Sequence, residues 1–141
     1  MSFDFNALNL EVLDISTNMS PDIYVNLRGV TFSKKILEEL GYPAYVQFVT
    51  DPKNKVFGIR CSRQDGHRAA PFSKPRKEQK ATVSFNNKNI WEPIRKMMED
   101  EWKSDRRYRV TGHLLDDKKT MIFILTEGVM DDFRLPKEEN E

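Results

Sequence analysis

Cysteine, histidine and long apolar runs are scarce in this chain of 141 residues, which has one cysteine and two histidines. The single thiol, Cys61, cannot form an intramolecular disulfide, so we expect the fold to depend on a packed core. This cysteine content also fits a reducing, cytoplasmic compartment. No apolar run is long enough to predict a membrane span, and the first residues do not have the pattern of a signal peptide. With 38% hydrophobic residues, the chain is predicted to form one compact domain.

Motifs for catalysis and metal binding are also missing from the sequence. Neither His67 nor His113 has a Cys, Asp or Glu at metal-ligand spacing. The sequence contains no glycine-rich phosphate loop and no nucleophile elbow. Residues 99–101 are acidic and lie among Lys and Arg residues, which is typical of a charged helix face with local ion pairs. We therefore predict a protein that is not an enzyme and that uses no metal or cofactor.

The sequence does contain a segment that occurs twice. Residues 30–33, Val-Thr-Phe-Ser, align with residues 83–86, Val-Ser-Phe-Asn, and both are followed by a helix-like pattern. Tyr45–Arg60 and Tyr108–Leu125 each have the pattern of a strand, a charged turn and a second strand. Each copy therefore has the predicted order β-α-β-β. Two copies are too few for a solenoid and favour a fused pseudo-dimer.

The repeat divides the chain into segments. We predict a single domain over 1–141, with a first repeat at 23–61, a basic linker at 62–79, a second repeat at 80–126 and an acidic tail at 127–141. The predicted fold class is α+β, rich in strands, with the duplicated units packed as a pseudo-dimer within one chain.

Each copy has one helix with recognisable limits. Ser33 is a typical N-cap, and Gly41 followed by Pro43 predicts the end of the first helix after about two turns. Pro93 is tolerated only in a first turn, so the second helix is predicted to begin near Ile90. Apolar residues at helical spacing predict a core face, with a partner-binding groove as the alternative. These residues are Ile90, Trp91, Ile94, Met97, Met98 and Trp102.

The linker is the basic part of a chain whose formal net charge is +1. Its basic residues up to the start of the second repeat are Arg63, Arg68, Lys74, Arg76, Lys77 and Lys80. A long basic loop that contains an aromatic residue, Phe72, can lie along phosphates, because neutralising phosphates supplies most of the sequence-independent affinity for nucleic acid. The alternative is a solvated, flexible connection between the two copies.

The first copy resembles a known family of regulators. Residues 27–33, Leu-Arg-Gly-Val-Thr-Phe-Ser, precede a helix that ends with Leu-Glu-Glu-Leu-Gly at 37–41, and a strand, a charged turn and a strand follow. This order is similar to the half-barrel unit of AbrB-type transition-state regulators, and the resemblance covers about 23–61 and again 80–126. MraZ-type regulators carry two such units in one chain of similar length. The resemblance implies a swapped-hairpin barrel and a bacterial transcription regulator that binds duplex DNA.

The resemblance also implies which residues would contact DNA. A Gly-Arg pair precedes the second strand in the family, whereas this chain has Arg28-Gly29 in reversed order. Arg28 and Lys80 then occupy the matching positions of the two copies, with Lys34 and Lys35 at the adjoining helix start. Together with the linker residues, the candidate DNA-binding residues are Arg28, Lys34, Lys35, Arg63, Arg68, Arg76, Lys77 and Lys80.

The modest net charge leaves a second class of function open. Nucleic-acid-binding modules usually carry a pronounced basic stripe. A nearly neutral chain also fits a non-catalytic protein-interaction module, such as a bacterial or mobile-element accessory protein. Such a module would hold a protein partner by strand edges or by a surface that contains Trp91 and Trp102. Clustering of the basic residues on the fold favours nucleic acid, and scattering favours the interaction module. The sequence predicts no particular oligomeric state.

Overall fold

The computed structural model describes residues 5–11, 20–79 and 82–131. The strands are β1 Asp22–Asn26, β2 Gly29–Phe32, β3 Tyr45–Asp51, β4 Val56–Ser62, β5 Ala70–Pro71, β6 Val83–Phe85, β7 Tyr108–Leu114, β8 Thr120–Ile124 and β9 Val129–Met130. The helices are α1 Lys34–Leu40 and α2 Lys88–Met97, with 3₁₀ turns at Phe5–Ala7 and Leu125–Glu127.

The predicted α+β class, rich in strands, is confirmed. The order β-α-β-β occurs as β2-α1-β3-β4 and again as β6-α2-β7-β8. The described strands form one nine-stranded sheet with the order β5-β3-β4-β8-β7-β1-β2-β6, and β9 pairs with β7. All neighbouring strands are antiparallel. As its nearly continuous apolar sequence predicts, β8 lies inside the sheet between β4 and β7.

The sheet curls into an open half-barrel, and its two ends meet through phenylalanine rings. Phe85 on β6 lies 5.4 Å from Phe48 on β3, measured between ring centroids. Phe72, which follows β5, stacks on Phe85 with centroids 6.0 Å apart. Phe32 on β2 lies 5.1 Å from Phe72 in an edge-on arrangement. Aromatic packing therefore joins the two ends of the sheet where β3 and β6 approach each other.

The strand registers of the two β-α-β-β segments correspond. In the β4–β8 pair, Val56 lies opposite Ile124 and Arg60 lies opposite Thr120. A shift of 64 positions carries residue 56 to 120 and residue 60 to 124, so it moves the β4 residues of these two pairs onto the β8 residues. The same shift relates the hairpins. Phe48 faces Ile59 in the first hairpin, and residues 112 and 123 face each other in the second. The value of 64 therefore rests on the two hairpins, because an antiparallel strand pair maps onto itself under any such exchange.

The helices contribute apolar side chains to the core. The apolar stripe of the second copy is confirmed as a core face, because Ile94, Met98 and Trp102 are buried and Ile90, Trp91 and Met97 pack against the core. The remaining buried apolar side chains of the helices belong to α1 and are Ile36, Leu37 and Leu40. Each helix therefore packs one face against the core.

The first helix begins and ends as predicted, but the side chain at its N-cap makes a different hydrogen bond. Gly41 follows α1 with a φ of 78°, the left-handed conformation that glycine adopts at low cost. Ser33 occupies the N-cap position, but its hydroxyl makes no capping hydrogen bond. Its Oγ instead accepts a hydrogen bond from the backbone N–H of Asp22 over 3.1 Å. Ser33 therefore ties the start of α1 to the start of β1.

The second helix begins two residues earlier than predicted. It starts at Lys88 rather than near Ile90, because the side chain of Asn87 accepts a hydrogen bond from the backbone N–H of Asn89 over 2.8 Å. Pro93 consequently lies inside the helix. An asparagine cap placed before the proline therefore outweighed the preference of proline for the first turn.

The linker is docked on the sheet rather than fully solvated. The backbone N–H of Phe72 donates to the carbonyl oxygen of Ala44 over 2.7 Å, and that of Ser73 donates to Pro43 over 3.0 Å. Phe72 is 8% exposed. The ring of Phe72 is therefore part of the core, which leaves the basic residues of the linker as its candidates for contact with phosphates. Of the predicted acidic tail, the structure describes residues up to 131, and 132–141 lie outside the described residues.

Candidate nucleic-acid interface

One rim of the curled sheet carries most of the predicted cations. The antiparallel registers place the ends of β2, β4 and β7 at this rim, together with the beginnings of β3 and β8. Lys34 and Lys35 are the first residues of α1, directly after β2, and Arg63 directly follows β4. We call this end of the sheet the basic rim.

The docked linker adds two further cations to the basic rim. Ser73 lies beside Pro43, just before β3, and its hydroxyl donates to the Pro43 carbonyl over 2.6 Å. The chain then enters a turn in which the N–H of Glu78 donates to the carbonyl of Pro75 over 2.8 Å. Arg76 and Lys77 form the exposed tip of this turn. Residues far apart in sequence therefore meet at one end of the sheet.

Three of the predicted residues are not placed at the basic rim. Arg28 lies in the turn between β1 and β2, at the opposite rim, and the full length of β2 separates it from the start of α1. Arg68 lies along the edge of β3, because the carbonyl of His67 accepts a hydrogen bond from Nε2 of Gln47 over 2.7 Å. Lys80 lies outside the described residues. Five of the eight predicted cations therefore lie at the basic rim, namely Lys34, Lys35, Arg63, Arg76 and Lys77.

A groove of about 550 Å³ opens on the basic rim. Its lining residues are Leu40, Pro43, Cys61, Ser62, Arg63, Lys118 and Lys119. Cys61 is half-buried, and burial raises the pKa of its thiol although the charge of Lys119 acts in the opposite direction. A thiol with a raised pKa is a poor nucleophile near neutral pH.

Sequence reasoning missed Lys118 and Lys119, which it assigned only to a hairpin turn. The carboxylate of Asp117 holds this turn by accepting hydrogen bonds from the N–H of Lys119 over 2.8 Å and from the N–H and hydroxyl of Thr120. These hydrogen bonds lower the pKa of Asp117. The available signal was the repeat itself, because pairing β4 with β8 places the turn before β8 beside the end of β4.

The opposite rim has an equivalent position with different charges. At the basic rim the N–H of Cys61 donates to the carbonyl of Lys119 over 2.8 Å, and at the opposite rim the N–H of Leu125 donates to Lys55 over 3.0 Å. The two hydrogen bonds are related by the shift of 64 positions. The ammonium group of Lys55, however, pairs with the carboxylate of Glu101, and this hydrogen bond raises the pKa of Lys55. The equivalent cation is therefore already neutralised.

A second groove, of about 670 Å³, lies along α2. Trp91 and Trp102 line this groove together with Pro93 and charged residues of the helix. The indole N–H of Trp91 donates to the carbonyl of Asn86 over 3.1 Å, which fixes the position of its ring. Trp102 stacks on Tyr108 with ring centroids 4.4 Å apart. The groove therefore has rigid aromatic walls.

Arg95 lines the aromatic groove and is held in place by backbone carbonyl oxygens. Its Nη2 donates to the carbonyl oxygens of Val25 over 3.2 Å, Asn26 over 2.9 Å and Arg106 over 2.7 Å, and its Nη1 donates to Lys103 over 3.1 Å. Burial lowers the pKa of this guanidinium group. One side chain thus links α2 to the β1–β2 turn and to the loop before β7, which is a structural role.

Three further findings bear on function. In residues 5–11, 20–79 and 82–131, no cluster of three or more His, Cys, Asp or Glu side chains is arranged to hold a metal ion. None of the helices in the described part of the chain is long and apolar enough to cross a membrane. Comparison with known proteins found no family profile, curated protein or solved structure that matches this chain.

Proposed function

We propose that this chain is a DNA-binding regulatory protein that contacts duplex DNA through the basic rim. The observation that supports this proposal is that cations from four separate segments lie at one end of the sheet. These segments are the start of α1, the end of β4, the linker turn and the β7–β8 turn. A formal net charge of +1 cannot attract a polyanion by itself, so local clustering is what the function requires.

The proposed contacts are to phosphates rather than to bases. Exposed Lys and Arg side chains at strand ends and turns reach phosphate oxygens easily, and such contacts orient a protein on DNA without reading its sequence. Arg28, at the opposite rim, and Arg68, on the edge of β3, are not part of the contact surface in this proposal. Lys34, Lys35, Arg63, Arg76 and Lys77 remain in it, and Lys118 and Lys119 are added.

We also propose that the chain is an internal duplication that forms a swapped-hairpin pseudo-dimer. The two hairpins support this, because a shift of 64 positions carries the register of β3–β4, with Phe48 opposite Ile59, onto that of β7–β8, with residue 112 opposite residue 123. The order β-α-β-β also occurs twice along the chain. Together with the resemblance to AbrB-type regulators, this arrangement favours a role in bacterial transcription regulation.

The experiment that tests DNA binding is fluorescence anisotropy with a random-sequence duplex over a salt series. We expect a dissociation constant in the micromolar range at low salt, as is typical of sequence-independent binding, and a steep loss of affinity between about 50 and 200 mM salt. The slope of log K against log salt measures how many phosphates the protein neutralises. Absence of binding at the lowest salt concentration would rule out this function.

The aromatic groove along α2 favours a second candidate function, a non-catalytic interaction with a protein partner. Both tryptophans of the chain, Trp91 and Trp102, line this groove, so their emission reports on its occupancy. Aromatic side chains in a rigid groove are typical anchors of protein interfaces. A partner captured by the native chain and lost on Trp91→Ala, but retained when the basic rim is reversed in charge, would support this candidate.

A further inference from the structure

We infer that the groove on the basic rim is a phosphate-binding site and that the equivalent position at the opposite rim is not. The inference rests on the proposed function and deepens it, because it names the part of the surface that holds a phosphate group. The ligand chemistry is a phosphate oxyanion, whether it belongs to a nucleic-acid backbone or to a free phosphate.

The groove brings together three cations whose charges are still available. In the described residues neither Lys118 nor Lys119 has an ion-pair partner, and the only acidic partner of Arg63 is Asp65, at 3.2 Å. Both members of that pair are largely exposed, with 86% and 74% of their side-chain surfaces accessible. An exposed pair of this kind contributes little free energy, so Arg63 can exchange Asp65 for a phosphate at small cost.

The backbone of the groove is rigid although its cations are flexible. The carbonyl of Lys119 accepts the N–H of Cys61, and the carboxylate of Asp117 holds the N–H groups that follow. Asp117 accepts backbone hydrogen bonds of its own turn, and its carboxylate also attracts the charge of Lys119. The ammonium groups of Lys118 and Lys119 form no ion pair within the described residues, so they can turn toward an anion.

The opposite rim provides an internal comparison. The shift of 64 positions relates Arg63 to Glu127, Lys118 to Asn54 and Lys119 to Lys55. Glu127 lies 3.0 Å from Nε2 of His113, at hydrogen-bonding distance, and Lys55 pairs with Glu101. An anion at this rim would meet a carboxylate and a neutralised lysine. The two rims therefore differ in charge: the groove at the basic rim has two lysines and Arg63 beside Asp117, whereas the matching positions of the opposite rim have Glu127, Asn54 and Lys55 beside Lys53.

Cys61 makes the inference testable, because it lines the groove and is the only cysteine of the chain. We would measure the alkylation rate of Cys61 by N-ethylmaleimide in the full chain at mildly alkaline pH. The rate would be compared in sodium chloride, in inorganic pyrophosphate at matched ionic strength and with a short DNA duplex. At a ligand concentration ten times the dissociation constant only about a tenth of the protein is free, so alkylation should slow by about tenfold.

Two variants control this measurement. Lys118→Glu combined with Lys119→Glu should abolish the protection, whereas Lys53→Glu, in the exposed turn of the opposite rim, should preserve it. If the half-buried Cys61 reacts too slowly, Ser62→Cys in a Cys61→Ser background places the thiol on the next groove residue.

The outcomes separate the inference from the proposed function. Protection by both pyrophosphate and DNA, lost in the double variant, supports both. Protection by pyrophosphate alone supports an oxyanion site while DNA binding fails. DNA that binds in anisotropy but leaves the thiol unprotected would overturn the groove assignment and leave DNA binding intact. Absence of both protection and DNA binding would overturn both.

Discussion

The backbone N–H of Cys61 donates a hydrogen bond to the carbonyl oxygen of Lys119 over 2.8 Å. This bond joins the end of β4 to the turn before β8, so it fixes part of one β-α-β-β segment against the other. The position of the turn thus depends on backbone contacts and on the carboxylate of Asp117. The side chains of Lys118 and Lys119 can therefore be changed while the rim keeps its shape.

Reversing the charge of this turn should weaken DNA binding. We expect Lys118→Glu combined with Lys119→Glu to reduce affinity at low salt by tenfold or more, and to reduce the slope of log K against log salt by about 1 to 2, because each lost phosphate contact removes about 0.9 from that slope. The measurement is anisotropy with a random duplex. The control is Lys53→Glu at the opposite rim, which changes the net charge by the same amount per substituted residue. Equal losses for equal charge change at the two rims would contradict a local contact surface.

The half-buried guanidinium of Arg95 should contribute strongly to stability. Arg95→Lys keeps the positive charge but cannot reach the carbonyl oxygens of residues 25, 26, 103 and 106 at once. Because hydrogen bonds to a charged group contribute about 1.5 to 3 kcal/mol and a buried acceptor is costly to leave unsatisfied, we expect a loss of about 3 kcal/mol in the free energy of unfolding. Urea unfolding measures this loss.

The exposed neighbour of Arg95 supplies the control. Lys96 lies on the outer side of α2, and Lys96→Ala should change the unfolding free energy by no more than about 0.5 kcal/mol, as is usual for surface substitutions. Similar values for Arg95→Lys and Lys96→Ala would indicate that the guanidinium contacts do not stabilise the fold.

Local sequence signals predicted the elements well, and long-range signals were needed for the rest. Alternating apolar residues predicted the hairpins, and Gly41 predicted the end of α1, because these preferences act within a few residues. The role of Arg95 could not be predicted, since two of its acceptors, residues 25 and 26, lie about 70 positions away. Such acceptors are backbone carbonyls, which every residue has, so they leave no signature in the sequence.

The candidate site could be predicted only in part, for a related reason. The basic linker was visible as a run of charge, and Arg76 and Lys77 do lie on the basic rim. Lys118 and Lys119 looked like ordinary turn residues, and their contribution depends on the pairing of β4 with β8. The core position of Phe72 could not be predicted, because a single aromatic residue in a basic loop has the same local pattern whether its ring is exposed or buried.

The turn that carries the two lysines should respond to acid. The pKa of Asp117 is lowered in the folded protein by the hydrogen bonds from Lys119 and Thr120. A lowered folded-state pKa stabilises the fold at pH values above the ordinary pKa, and this stabilisation is lost as pH falls through the folded-state pKa. We therefore expect Asp117→Ala to lower the melting temperature at neutral pH and to have progressively less effect below about pH 4.

The adjacent Asp116 is the matched control for this pH dependence. Its carboxylate accepts none of the hydrogen bonds found in the described part of the turn, so Asp116→Ala should leave the melting temperature unchanged across the same range. A pH-independent loss of stability in Asp117→Ala would mean that the side chain acts through packing rather than through its charge.

Because Phe72 belongs to the core, the position of the linker should depend on the packing of the phenylalanine rings that join the two ends of the sheet. Its ring packs against Phe32 and Phe85, so Phe72→Ala should reduce the unfolding free energy by about 3 to 4 kcal/mol, within the range usual for large-to-small core substitutions. Loss of this anchor should also speed tryptic cleavage after Arg76 and Lys77, because the linker turn would leave the sheet more often. Leu115→Ala, at a side chain 40% exposed, serves as the control and should change neither property. A solvated linker would instead make Phe72→Ala as mild as that control, and the placement of Arg76 and Lys77 on the basic rim would then have no structural basis.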